Sequence, residues 1–290
     1  MTEFFLATVN GMTTGSVVFL VAVGLTLVFG VGGVLNFAHG GVFAVGAYVM
    51  YTMMGQLGAS LPSFLLSAAA AIAAAGAVGL IAELVVIRRM YQLRHEYMLL
   101  GTYALLLVID GAIELVWGPN PRSSTTPDAL RGSVDIGIAR VPILSLFIIA
   151  MAILALGGLT LWMQRTSFGR VAKAAAHDRE ATMTLGVNVP LVMTGVFVVG
   201  SLLAGLAGAV LAPNQAVSPI LGELFIIQAF VAVVMGGLGS VIGSFLAALI
   251  VGLADAYWFA YLPDVPQIGV FVALIAVMTL KPTGLMGART

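Results

Sequence analysis

The sequence predicts an all-α polytopic membrane protein, and three observations carry that prediction. Of 290 residues, 61% are hydrophobic and 8% charged. Mean hydropathy is +1.12, far above an ordinary soluble domain. The apolar residues also fall in continuous runs that reach the roughly 20 residues a helix needs to cross a bilayer. About eight to nine transmembrane or re-entrant helices fit this length, in a single domain over residues 1–290 with no sizeable soluble insertion.

The first run, residues 4–57, is long enough for two passes and is interrupted by "GGVLNFAHGG" (Gly32–Gly41), which places Asn36 and His39 inside an apolar setting. Its N-terminus, "MTEFFLATVNG", has no basic n-region, so the run is expected to be retained as a span. Residues 62–87 and 97–117 are uninterrupted candidates, followed by a loop at 118–140 rich in Pro and Asp. Residues 141–163 and 191–212 complete the four clear spans. The latter carries Gly200, Ala204, Gly208 and Ala212 at spacing four, a nearly featureless face suited to close packing. Residues 223–261 form a second long run broken by "MGGLGSVIGS", and 266–280 a shorter one. Each broken run is either two full spans or a re-entrant hairpin. Because both read apolar, glycine-rich, then apolar, they suggest a weak parallel internal repeat around two glycine-rich helix breaks.

Positive charge assigns the sides. "RRMYQLRH", "RTSFGRVAKAAAHDR" and the terminal Lys281 and Arg289 mark the cytoplasm, so the N-terminus is outside and the C-terminus inside. Trp117, Tyr257, Trp258 and Tyr261 then fall near the outer interface and Trp162 near the inner one.

Composition excludes several functions. Twelve basic and twelve acidic residues cancel, with no basic run interleaved with aromatics, which sets nucleic acid aside. Cysteine is absent and the three histidines are scattered, so neither a metal site nor a cysteine nucleophile is expected. No GxxxxGK[ST] loop occurs, the only lysines being Lys173 and Lys281, and no GxSxG or HExxH appears. The chain reads as a transport subunit, not an enzyme, with no cofactor of its own.

Polar groups inside the spans are the candidates for a substrate path. Asn36 is placed to cap the half-helix after the first break, with His39 beside the exposed amides of that start. Asp110 and Glu114, four apart, share one helix face. Gln228 is the polar member of the second broken run. A self-sufficient reading is a proton-coupled secondary transporter using Asp110 and Glu114 as its carriers.

The polar segment at 166–187 reads as one helix edged by Arg170, Lys173, His177, Asp178, Arg179 and Glu180 and stopped by Gly186. Its alanines leave little bulk, a surface suited to docking in a groove of a cytoplasmic protein or to lying on anionic headgroups. Within it, "EATMTLG" (Glu180–Gly186) resembles the EAAxxxG loop by which permeases of ATP-binding-cassette (ABC) importers dock on their ATPases, with Thr182 in place of the second alanine and Pro190 early. With "GLTLVFGVGGVLNFAHGG", "MGGLGSVIGS" and "KPTGLMG", the chain resembles the permease family of branched-chain amino-acid ABC importers from residue 24 to residue 287.

That resemblance implies a multi-pass subunit of a bacterial cytoplasmic (inner) membrane. It also implies a second related permease making a heterodimer, two cytoplasmic ATPases that bind ATP and Mg, and a periplasmic substrate-binding protein. Arg170, Lys173, His177, Asp178, Glu180 and Gly186 would then be the ATPase-docking residues.

Overall fold

The computed structural model describes residues 2–137, 139–265 and 268–287; Arg289 and the first two residues of the 266–280 run lie outside the described residues. The first run folds as α1 (Thr2–Gly32) and α2 (Ala38–Leu57), separated by five non-helical residues. Helix α3 (Leu61–Ala82) starts at Ser60, whose hydroxyl accepts from Ser63 N. It continues through a π-turn, Glu83–Ile87, into the short α4 (Arg88–Met90). Helices α5 (His95–Trp117) and α6 (Ile143–Arg165) flank the long loop, which holds an antiparallel hairpin of β1 (Ser133–Asp135) and β2 (Arg140–Pro142). This hairpin departs from the all-α expectation. Its turn is set by Asp135, whose carboxylate accepts from Gly137 N at 2.9 Å.

Then come α7 (Ser167–His177), α8 (Arg179–Thr184) and α9 (Val189–Leu211), followed by the second broken run as α10 (Leu221–Gly236) and α11 (Val241–Tyr261), and finally α12 (Gly269–Leu280). Among the described residues, six stretches are long and apolar enough to span a membrane: α1, α3 with its extension to Met90, α5 from Glu96, α6, α9 and α11. Helices α10 and α12, of 16 and 12 residues, are apolar but shorter.

Unlike in a soluble bundle, large apolar side chains cover the outer faces as well as the core. Leu100, Val108 and Leu115 on α5, Ile153 and Leu154 on α6, and Ile275 and Leu280 on α12 are exposed, as suits helices against lipid. The core is built from the middle of α1, from α2 and from α9. Lipid tails are as apolar as leucine, so the helices are held by close packing, and small residues provide it. Along α1 and α11, a Cβ on Gly11 would lie 2.8 Å from Leu253 Cα and one on Gly15 2.7 Å from the Ala248 carbonyl. Farther along the seam, Thr26 and Ser244 hydroxyls meet at 2.7 Å. The small-residue face of α9 packs as its spacing predicts. A Cβ on Gly200 would meet the Gly24 carbonyl at 3.0 Å, and one on Gly208 the Phe43 carbonyl.

At one end of the bundle, Arg122 and Val217 exchange backbone hydrogen bonds of 2.8 Å, tying the 118–142 loop to the turn before α10. At the other end lie the two breaks' last turns and the α7–α8 segment.

Candidate functional site

The first break is a buried turn. Helix α1 ends with Gly33 N donating to the Phe29 carbonyl (2.7 Å), and Val34 and Asn36 are then buried among side chains. The backbone is held from α5: Phe37 N donates to Thr102 Oγ1 (3.2 Å), and Thr102 donates to the Leu99 carbonyl (3.1 Å). Asn36 does not cap α2, contrary to expectation. The capping position is Phe37, with helical backbone angles, so Asn36 stands one residue too early to reach the free amides. Instead His39 N and Gly40 N turn back onto the Asn36 and Phe37 carbonyls.

Asn36 is 1% exposed, and neither Oδ1 nor Nδ2 has a hydrogen-bond partner. It faces a narrow gap shared with Leu25, Ile226 and Phe230. His39, equally buried, donates from Nε2 to the Val21 carbonyl (3.2 Å). Its ring occupies the space left by Gly24, where a Cβ would come within 2.7 Å of Nε2.

The same region gathers a polar stripe. Tyr103, Asp110 and Glu114 follow one face of α5, and Tyr103 donates to Glu223 on α10 at 2.9 Å. The Phe37 ring stands edge-on to Tyr103 (6.1 Å) and stacks with Phe230 (6.0 Å). Asp110 Oδ1 is buried without a partner. Glu114 is exposed nearer the helix end, close to Trp117, which packs on Tyr48 and donates to Thr52 Oγ1 at 2.7 Å. The structure therefore keeps the two apart: Asn36 faces Leu25 on α1 and Ile226 and Phe230 on α10, whereas Asp110 belongs to the α5 stripe that Tyr103 ties to Glu223. Gln228 lies on a different face of α10, beside Asp255 and Thr14.

Sequence reasoning missed Tyr103, Glu223 and Asp255. Asp255, a lone carboxylate in the apolar run "IVGLADAYW", carried the same signal that singled out Asp110.

The polar segment is two helices where one was expected. Asp178 adopts an extended backbone and caps α8, its Oδ1 accepting from Ala181 N at 2.9 Å, which breaks the helix after His177. Arg170, Lys173, His177, Asp178, Glu180 and Gly186 are all exposed. Gly169, Ala172, Ala175 and Thr182 are buried against the bundle. Leu185 is 83% exposed in the middle of this charged surface. A cavity of about 310 Å³ joins α7 to the second break, with Lys173 and Ala176 facing Gly239 and Ser240.

A second link runs from α3 to α9. Glu83, wholly buried at the π-turn, accepts from Arg88 Nε (3.2 Å) and Nη2 (3.1 Å) and from Tyr91 (3.2 Å), while Arg88 also donates to Thr194 on α9. Burial, and secondarily the Glu83 charge, raise the Tyr91 phenol above its ordinary range, so it stays a donor at physiological pH. No cluster of three metal-ligating side chains occurs among the described residues.

A family model described as the permease component of branched-chain amino acid transport systems matches residues 7–280. The high-affinity branched-chain amino acid transport system permease protein BraD of Pseudomonas aeruginosa is 32% identical over 291 residues, covering 96% of this chain and 94% of BraD. LivH of Escherichia coli, of the same description, is 31% identical over 290 residues with the same coverage. Escherichia coli LivM, also described as a permease protein of that transport system, is 26% identical over 273 residues, 84% of this chain and 61% of LivM. No solved structure matches.

Proposed function

Because the chain belongs to the family of permease components of branched-chain amino acid transport systems, we propose that it is one of two related permeases in an ATP-driven importer of small amino acids. The observation that carries the coupling half of this reading is the α7–α8 segment, whose charged side chains and Leu185 are exposed while Gly169, Ala172, Ala175 and Thr182 pack inward. Two cytoplasmic ATPases, which bind ATP and Mg, dock there through Arg170, Lys173, His177, Asp178, Glu180 and Gly186. A periplasmic binding protein delivers substrate at the opposite end of the bundle. The second permease covers the exposed α5–α10 seam, so that Asp110 and Glu114 lie along the path, with Asn36 and His39 buried behind it and Gln228 on another face of α10.

The orientation proposed is N-terminus outside and C-terminus inside a bacterial cytoplasmic membrane. Nine segments are proposed to cross or re-enter it: the six long helices together with α2, α10 and α12. The α1–α2 and α10–α11 pairs are the two copies of a weak parallel repeat.

Mechanically, closure of the ATPase pair pushes on α7 and α8. Thr194 and the Arg88–Glu83 pair carry this to α3, and the cavity beside Lys173 carries it to the second break. The experiment is solubilisation of the tagged chain from its native membrane, identification of what co-purifies, and an ATPase assay. Recovery of an ATPase and a second permease supports the proposal. Uptake by the lone chain that follows a pH gradient without ATP instead supports the proton-coupled alternative through Asp110 and Glu114. Replacing Glu180 or Gly186 is expected to uncouple ATP hydrolysis from uptake while the chain stays in the membrane.

A further inference from the structure

Between α1, α10, α11 and α12, away from the Asn36 gap, lies a cavity of about 340 Å³ walled by Leu224, Phe225, Ile227 and Phe271. A second cavity of about 540 Å³ adjoins it, sharing Thr14 and Asp255, and extends past Asn10 to Glu3 and Tyr261 at the ends of α1 and α11. The opening follows from the sequence. Helix α12 has 12 residues, about 18 Å of helix against a hydrocarbon core of about 30 Å. It therefore does not cover the whole length of its neighbours.

The polar groups that meet here are Glu3, Asn10, Thr14, Gln215, Gln228 and Asp255, and no Lys or Arg lines either cavity among the described residues. Two of them are unsatisfied: Asp255 Oδ1 and Gln228 Oε1 are buried and have no hydrogen-bond partner. Both are acceptors. Buried acceptors without donors are rare in native structures and costly in an apolar setting, and a carboxylate within a transmembrane helix calls for a counter-group. The ligand that completes the site is therefore a donor, is cationic, and has an apolar part to lie against the Leu224–Phe271 wall.

We propose that the Asp255–Gln228 cavity binds a primary ammonium carrying an apolar chain, with Asp255 and Gln228 accepting from the ammonium and Thr14 at the entrance. That this ammonium belongs to an amino-acid substrate rests on the importer reading; the ammonium site itself does not. An ethanolamine headgroup of a lipid offers the same chemistry from another source.

The chain has no cysteine, so Thr14→Cys creates a single reporter thiol. With the chain in its native complex in open membrane fragments, accessible from both sides, the rate of reaction with a soluble maleimide is measured with and without 3-methylbutylamine. The amine is expected to slow labelling strongly, whereas 4-methylpentanoate, the same apolar chain on a carboxylate, leaves the rate unchanged. In an Asp255→Asn background labelling persists, which reports a folded cavity, but protection requires about tenfold or more amine, the scale of a lost charge-assisted hydrogen bond.

Gln215→Cys, at the exposed rim, serves as a second reporter. In vesicles of phosphatidylethanolamine, a lipid source predicts slow labelling without added amine that Asp255→Asn relieves. In phosphatidylcholine vesicles, whose headgroup has no N–H, that protection disappears. Equal protection by the amine in wild type and Asp255→Asn, protection by the carboxylate, or failure of both reporter thiols to react overturns the proposal. Uptake by the complete transporter tests the importer reading separately.

Discussion

The two helix breaks look alike in sequence and are held in opposite ways. At the first, residues 33–37, the backbone is stitched by a side chain, Thr102, and a buried amide, Asn36, is left without partners. At the second, residues 237–240, positive backbone angles at Gly237 (φ 99°) and Gly239 (φ 85°) make the turn, Ser240 caps α11 by accepting from Gly243 N at 3.1 Å, and the segment after α12 closes it. Leu285 N and Met286 N donate to the Met235 and Gly236 carbonyls at 2.7 and 3.0 Å. The second break is a satisfied structural joint, while the first keeps hydrogen-bonding capacity in reserve. Under the importer reading proposed above, the satisfied joint is the candidate to transmit force, and the unpartnered Asn36 amide is the candidate to meet a polar solute.

The largest effect is expected at the joint. A side chain at Gly237 is strained by its φ, and its Cβ would come within 2.6 Å of Gly287 N, a backbone atom. Gly237→Val should destabilise the protein by about 3 kcal/mol or more, read as loss of monodisperse protein after solubilisation. Ending the chain at Thr283 removes the two backbone donors from α10 and should cost about 1–3 kcal/mol, some of it recovered by water at the bundle end. A truncated chain with unchanged thermal stability would show that the glycines alone hold the joint. At the first break, Thr102→Val removes the partner of Phe37 N and should cost about 1–2 kcal/mol. The check is the same melting measurement, and a cost as large as that at Gly237 would erase the distinction between the breaks.

Much of this was legible in the residues. The two breaks, the four clear spans and the small-residue face of α9 follow from run length and glycine spacing, because lipid imposes long apolar helices and close packing needs small side chains. The exposed charged segment was also visible, but its division was not. Asp178 reads equally as one more surface charge or as a cap, and only the backbone decides. Nor could one-dimensional pattern show that "MGGLGS" and "KPTGLMG" are hydrogen-bonded to each other, that Gln228 meets Asp255 and Thr14 at one cavity, or that Asn36 misses its capping position by one residue. Those depend on pairing between helices distant in sequence, which hydrophobic runs do not encode.

The smallest effect on stability is expected at Asn36, and it is the sharpest test of the comparison. A buried side chain whose oxygen and nitrogen both lack partners contributes little to the fold, and removing it relieves a desolvation cost of about 1–3 kcal/mol. A truncation to Ala opens a small gap that offsets part of this gain. Asn36→Ala should therefore melt within about 1 kcal/mol of the wild type. If the amide serves the solute, uptake by the complete transporter should fall by about tenfold, the worth of one hydrogen bond to a charged ligand, while ATP hydrolysis continues. A destabilised Asn36→Ala with proportionate loss of uptake would place the amide among the structural groups, and the two breaks would then differ only in how they are tied.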